Sequence, residues 1–337
     1  MSDRMMADDG VAICIVTWHS AGDLPGCFEA IAALAHRPLE VIVVDNDSDD
    51  RSVELARAFD AVPTTVVAWP QNRGFAAGMN EAFRRTVAPW LLTLNADARP
   101  APDYLDRLLP HLRAGAAVAT GRLVRPATED GVVRLDACGM RLLSAWRHLD
   151  RGSGEIDQGQ YAQAERVFGA TGAASLFARR ALADVSTGDA FFDEDFHSFR
   201  EDAELCFRLQ SRDWDVVYEP TARCEHRRTV LPERRATLPA AVNYHSLKNR
   251  YLLRLYHQTA SNLLRTLIPT SMRDVLALGW VMTRERTSLP AYTWLWRHRR
   301  RLWARRRWLA ERRTTSVNPW FERDALPLRV APSGDSS

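Results

Sequence analysis

Short apolar runs rich in Val and Ile alternate with segments of helical spacing over the first 124 residues. Runs at 11–18, 39–45, 64–69, 90–95 and 117–124 read as buried strands, being too short for core helices and bounded by turn residues. Between them, 23–35, 48–59, 74–85 and 102–112 carry apolar residues every three or four positions and read as helices, with Ser48 placed to cap the second. Strands alternating with helices at this spacing predict a parallel, doubly wound sheet. Ligands bind such sheets beyond the C-terminal strand ends. The polar residues that fall there are Thr17, Asp45, Asn95 and Asp97.

Beyond 125 the pattern loosens. Residues 125–170 read as Gly-rich turns and short strands, 173–183 and 201–212 as helices, and 214–218 as a late strand. From about 238 the character changes to basic amphipathic helices at 244–267, 273–284 and 292–313. The expected organisation is therefore a catalytic α/β unit over 1–238, a helical tail over 239–315 and a flexible end over 316–337.

Charge sharpens that division. Residues 1–238 hold 27 Arg/Lys against 36 Asp/Glu, whereas 239–315 hold 16 against 3. The five cysteines are scattered with no C-x-x-C pair, which disfavours a disulfide framework or zinc knuckle and fits a reducing cytosol. The first ten residues carry three Asp and no apolar run, so no signal peptide is expected. No run approaches the roughly 20 apolar residues of a spanning helix.

The turn after the first strand, Val16-Thr17-Trp18-His19-Ser20, lacks both G-x-G-x-x-G and G-x-x-x-x-G-K, which disfavours a dinucleotide-binding dehydrogenase or a P-loop enzyme. Four other segments carry the chemistry. They are Val43-Val44-Asp45-Asn46-Asp47-Ser48, Asn72-Arg73-Gly74-Phe75-Ala76-Ala77-Gly78-Met79-Asn80, Leu94-Asn95-Ala96-Asp97-Ala98, and Phe199-Arg200-Glu201-Asp202-Ala203-Glu204-Leu205-Cys206-Phe207-Arg208-Leu209. In this order and spacing they resemble the family 2 glycosyltransferases of GT-A (Rossmann-like) fold, nearest to the bacterial rhamnosyltransferase-like enzymes, over roughly residues 10–260.

The resemblance implies roles. Asp45 matches an acceptor for the pyrimidine base, with Thr17 alongside; a turn or capping Asp is the alternative. Asn72, Gly74, Gly78 and Asn80 match the segment lining the nucleotide site, where glycines let backbone approach closely. Asn95-Ala96-Asp97 stands at the family's D-x-D position, so Asp97 is the expected ligand of a divalent cation (Mg²⁺ or Mn²⁺), with Asn95 on ribose or the turn. Glu201-Asp202 opens a helix, where negative charge suits the dipole; the resemblance makes Asp202 the general base and Glu201 its backup. His226 matches a metal ligand, and Gly172 a turn beside acceptor and donor sugar.

The tail interleaves arginines with Trp280, Trp294, Trp296, Trp303 and Trp308. Such helices suit an anionic membrane surface. A structural or oligomer-forming hairpin is the second reading, and nucleic acid, with no binding motif present, the third. The expected protein is an inverting, metal-dependent glycosyltransferase on the inner face of the cell membrane. It would take a nucleotide-sugar donor, dTDP-L-rhamnose first, and a glycan or polyprenyl-linked acceptor. A UDP- or GDP-sugar enzyme and a weakly catalytic membrane-associated assembly module are the alternatives.

Overall fold

A computed structural model describes residues 10–228 and 239–329. The expected boundary at 238 and the last eight residues of the expected flexible end lie outside the described residues. The first half begins with β1 (Val11–Thr17), α1 (Leu24–Ala32), β2 (Glu40–Asn46), α2 (Ser52–Ala58), β3 (Thr64–Trp69), α3 (Phe75–Arg84) and β4 (Trp90–Leu94). It continues through β5 (Ala98–Pro100), α4 (Tyr104–Arg113) and β6 (Val118–Val124). The strands form because their Val, Ile and Leu side chains are buried on both faces: every residue of β4 and β6 is buried.

β3, β2, β1 and β4 lie side by side and parallel, in that order. The chain first steps outward from β1 through β2 to β3, then places β4 on β1's other side. This reversal opens a crevice at the C-terminal strand ends, where Thr17, Asp45 and Asn95 emerge.

The five strands expected from the sequence share one direction, but antiparallel strands are added among them, and the expected helix at 173–183 is corrected. After β7 (Leu135–Ala137), β8 (Met140–Leu143), β9 (Arg147–Asp150) and β10 (Glu165–Arg166), the run Ala174–Ala178 forms a strand, β11, and only then does α5 (Arg179–Val185) follow. β11 inserts antiparallel between β4 and β6. All five of its side chains are buried, and a short apolar run of this kind does not reveal by periodicity whether it is strand or helix. α6 (Glu201–Ser211) and β12 (Val216–His226) complete this part, with β12 parallel to β6.

The C-terminal helices are α7 (Ala240–His257), α8 (Ala260–Thr283) and α9 (Pro290–Arg312). The expected continuous helix over 244–267 is interrupted at Gln258–Thr259 and its second part merges with the one expected at 273–284. Thr259 starts α8 through a capping box: its hydroxyl accepts from Asn262 N, and Asn262 Oδ1 accepts from Thr259 N. These helices do not stand apart from the α/β unit. Leu252, Leu253, Tyr256, Leu302 and Leu309 share one apolar cluster with Met140, Trp146, Phe168 and Phe207. Residues 316–329, expected to be loose, bury Val317, Trp320 and Phe321 in the same cluster, and Trp320 Nε1 donates to Gln210 at 2.8 Å.

One buried ion pair ties α6 to α7. Glu204 and Arg208 are one turn apart and almost fully buried, with Nε–Oε distances of 3.0 and 2.9 Å. Arg208 also donates to the carbonyls of Val185 and Phe191, and His257 at the end of α7 lies 3.3 Å from Glu204. Burial works against the Glu204 carboxylate, but Arg208 and His257 prevail and hold its pKa at about 2. The stabilisation it confers is complete above the unfolded-chain value of about 4.3 and is lost as pH falls toward 2. Replacing Glu204 by Leu strands Arg208 without a counter-charge. It is expected to cost about 3–5 kcal/mol, read as a lower urea midpoint at neutral pH.

Candidate active site

Three strand ends and the start of α6 converge at the crevice. At the ends of β1 and β2, Asp45 is buried and serves its own chain. Oδ2 accepts from the Thr17 hydroxyl at 2.8 Å and the Ser48 hydroxyl at 2.6 Å, and Oδ1 accepts from Ser48 N at 3.0 Å. Three of the roughly four acceptor positions of a carboxylate are filled. Thr17 and Asp45 thus form the turn that shapes this end of the crevice. Ser48, expected to cap a helix, is part of it, and α2 begins later.

The next segment divides into two kinds of residue. Asn72 Oδ1 accepts from Gly74 N at 2.9 Å, an Asx turn that delivers the chain into α3. Gly74 has φ of 86°, and a Cβ there would lie 2.5 Å from the His197 carbonyl oxygen, so only glycine fits. Gly78 and Asn80 are corrected from ligand contacts to packing residues. A Cβ at Gly78 would meet Val16 at 2.7 Å, so its role is the close approach of α3 to β1. Asn80 is fully buried, with its amide exchanging hydrogen bonds with the backbone of Phe192 and a further one to Glu194.

Beyond β4, Asp97 Oδ1 lies 3.2 Å from His226 Nε2, and Asn95 Nδ2 lies 3.3 Å from the same nitrogen. β5 pairs with the end of β12, His226 opposite Ala98, and this register brings the two motifs together across 129 residues of sequence. Behind the ring, His226 Nδ1 meets Asp136 at 2.8 Å; Asp136 also takes Arg228 at 3.0 Å, and Arg228 reaches Asp150 at 2.7 Å. Burial disfavours the charged imidazole, but Asp136 and Asp97 outweigh it and raise the His226 pKa to about 9.

The donor set is suited to a divalent cation. Asp136 fixes the ring through Nδ1 and leaves Nε2 directed at the Asp97 carboxylate, the usual second-sphere arrangement behind a metal-binding histidine. Two protein ligands are too few alone, and among the described residues no group of three or more His, Cys, Asp or Glu is placed to hold an ion. A cation here would need oxygens from a bound phosphate.

Opposite stands the carboxyl pair. The turn before α6 is strained: His197, Phe199 and Arg200 have φ of 63°, 69° and 74°. Asn249 of α7 holds it, its Nδ2 lying 2.7–2.8 Å from the carbonyls of Phe196, Ser198 and Phe199. From the other side Ala76 N donates to the His197 carbonyl at 3.0 Å. The turn presents Asp202 to Gly172, whose N–H donates to Oδ2 at 3.2 Å, while Oδ1 accepts from Ala203 N at 2.7 Å. Burial, then the nearby Asp150 charge, lifts the Asp202 carboxyl to about 6. Glu201 is raised further by burial and by Asp202, and its Oε2 has no hydrogen-bond partner among the described residues.

The structure therefore groups Asp97, Asn95 and His226 at one place, and Asp202, Glu201 and Gly172 at another. Asp136, Arg228, Asp150 and Asn249 were missed by sequence reasoning. Only Asn249 had a signal, as a polar residue within an amphipathic helix.

The family model for glycosyl transferase family 2 matches residues 12–186, just over half the chain, and the chain belongs to that family. A dolichol-phosphate mannosyltransferase of Pyrococcus furiosus is 26% identical over 113 residues, 33% of this chain and 32% of that protein. An undecaprenyl-phosphate 4-deoxy-4-formamido-L-arabinose transferase of Pectobacterium atrosepticum is 28% identical over 137 residues, 38% of this chain and 41% of its own length. The chain thus spans well under half of these curated relatives. Among solved structures, GalNAc-T7 with UDP, GalNAc and Mn²⁺ superposes with a TM-score of 0.57 at 11% identity, over 74% of this chain and 48% of the other. The mannosyltransferase PcManGT of Pyrobaculum calidifontis with GDP-Man and Mn²⁺ gives 0.51 at 15%, over 90% and 85%. The fold is GT-A.

The Asp202 environment sets a stability test. Its folded pKa lies above the unfolded value of about 3.9, so the folded state binds the extra proton and loses stability as pH rises from about 4 through 6. Asp202→Asn removes that ionisation cost. It is expected to raise the thermal midpoint at pH 7 and to have no such effect at pH 4, as followed by circular dichroism.

Proposed function

We propose that this protein is an inverting, metal-dependent glycosyltransferase that uses a nucleoside-diphosphate sugar. The observation carrying this is the nearness of two groups: the Asp97–His226 pair beside Asn95, and Asp202, lifted to about 6, beside Gly172, with Asn95 N donating to the Ala173 carbonyl at 2.8 Å between them. Asp202 accepts the proton of the acceptor hydroxyl as that oxygen attacks the anomeric carbon. The bond from that carbon to the diphosphate oxygen breaks on the opposite face, and configuration inverts. A base with a pKa of about 6 is ionised at neutral pH and retains enough basicity to take the proton. Glu201, its carboxyl also raised by burial and by the neighbouring Asp202, stands beside it as the backup base. Asp97 and His226 would hold the cation, which, when bound, would supply positive charge to offset that of the departing diphosphate. Asn95 positions His226, and Asp136 fixes its ring. Thr17, Asp45, Asn72 and Gly74 shape the nucleotide end.

The donor is dTDP-L-rhamnose on the strength of the four motifs and their resemblance to the rhamnosyltransferase-like subgroup. A UDP- or GDP-sugar is the second reading, supported by the UDP and GDP-Man in the neighbouring structures. The acceptor is a cell-envelope glycan or a lipid-linked sugar, in keeping with the dolichol-phosphate and undecaprenyl-phosphate enzymes among the relatives. The α/β unit carries the catalysis, and the basic helices rest on the inner face of the membrane. Among the described residues no helix is long and apolar enough to cross a membrane.

The direct test is release of nucleoside diphosphate from a panel of sugar nucleotides with Mn²⁺ and with EDTA. Release from one donor, abolished by EDTA, is expected; donor-independent or EDTA-insensitive release would overturn the reading. Asp202→Asn is expected to lower turnover about 10²–10⁴-fold, and the wild-type rate to rise with pH through about 6 and then level. Asp136→Asn is expected to weaken Mn²⁺ binding about 10–100-fold in calorimetry with nucleoside diphosphate present.

A further inference from the structure

Between α7 and α8 lies a cavity of about 300 Å³ whose walls include Arg200, Leu247, Arg250, Arg273, Trp280 and Glu285. The size is at the lower end of small-ligand sites. Its polar lining is mainly basic. Arg200, Arg250 and Arg273 stand on its walls with Glu285, and Asp274 lies beside Arg250 and Arg254. Asp274 is shared by Arg250 and Arg254, and Glu285 accepts from Trp280 Nε1 at 2.7 Å. Arg273 donates to the neutral carbonyls of Ala145 and Trp146, and the nearby Asp274 carboxylate is engaged by Arg250 and Arg254. Burial, then Arg250, Arg200 and Arg147, lowers the Arg273 pKa to about 8 against the pull of Asp274.

Two further features tell what kind of anion fits. Arg200, on the wall, immediately precedes Glu201 and Asp202, so the cavity abuts the turn that carries the base. On its outer side α8 presents a row of exposed apolar residues at every fourth position: Leu264, Ile268, Met272, Leu276 and Trp280, exposed by 83, 72, 63, 72 and 49%. Leu276 and Trp280 also line the cavity. Sixteen residues of helix span about 24 Å. A row of this length, left exposed by the described residues, ends at the arginines. One molecule satisfies both parts: a phosphate or diphosphate head for the guanidinium groups and a long apolar tail for the row.

We propose that this cavity binds the phosphate head of a lipid-linked acceptor, with the lipid chain running along α8. The inference rests on the glycosyltransferase reading above and adds the acceptor's chemical class and its position. It orients the acceptor, with the sugar or hydroxyl end toward Asp202 and the lipid end toward the membrane.

The test uses the full chain and co-sedimentation with phosphatidylcholine vesicles that are undoped, doped with polyprenyl phosphate, or doped with phosphatidylglycerol at equal charge. The wild type is expected to prefer polyprenyl phosphate. Arg273→Gln and Ala277→Phe, the latter filling the cavity while keeping its charges, are each expected to weaken that binding about tenfold relative to phosphatidylglycerol. Exposed Arg297→Gln in α9 is expected to affect both anionic surfaces alike, and thermal unfolding establishes that each variant is folded. Equal wild-type binding to both anionic vesicles, or an Ala277→Phe variant that keeps the preference, would overturn the proposal. The two readings fail separately: selective binding without sugar transfer would sink the reaction, whereas transfer to a soluble acceptor without selective binding would sink this site.

Discussion

The hydrogen bonds of Asn249 to the 196–199 backbone are the constraint on which the crevice depends. Three residues of that turn sit in left-handed conformations that cost of order 1–3 kcal/mol each for non-glycine residues. Left alone, such a turn would relax and swing Asp202 away from Gly172. Asn249 clamps it from α7 and the start of α3 clamps it from the opposite side, where Gly74 makes room for the His197 carbonyl. The buried Glu204–Arg208 pair then fixes α6 relative to α7 one turn further on. The helical tail is thus part of the scaffold of the site. Its outward surface is available for other work because its inward surface already holds the catalytic turn.

A second order of organisation is electrostatic. From Asp97 through His226, Asp136 and Arg228 to Asp150 the charges alternate in sign, each in contact with the next. Buried carboxylates are tolerated here because each has a cationic neighbour. Asp202 has backbone N–H groups instead, and Asp150 nearby acts as a like charge. The contrast accounts for the difference in behaviour: Asp136 is held below its ordinary pKa, Asp202 well above it. The same chemical group is kept ionised in one place and drawn toward its protonated form in the other.

The sequence carried the strand–helix alternation, the strand ends and the pairing of motifs, since these follow from local periodicity and from residue types at strand termini. It did not carry the conformation of Ala174–Ala178. Five buried apolar residues suit either state, and the choice of strand is made by the open edges of β4 and β6. Nor could it separate Asn80 from Asn72. Both stand in one motif, yet Asn72 forms the turn into α3, whereas Asn80, inside α3, is committed to Phe192 and Glu194. Asp136 was invisible because nothing around it in sequence marks it. Its role arises only where β7 and the end of β12 both pair with β6.

The insertion of β11 has a consequence for how the chain is made. β4 and β6 are neighbours only through a strand synthesised 50 residues after β6 ends. Until the ribosome has released residue 178, both present unpaired backbone edges, and exposed edges recruit other chains. Closure of the sheet is a long-range event, slow compared with helix formation. The order of synthesis thus leaves the sheet's centre open until residue 178 and the other edge of β6 open until β12, so a nascent chain stalled before 178 exposes more unpaired strand edge than one stalled after it.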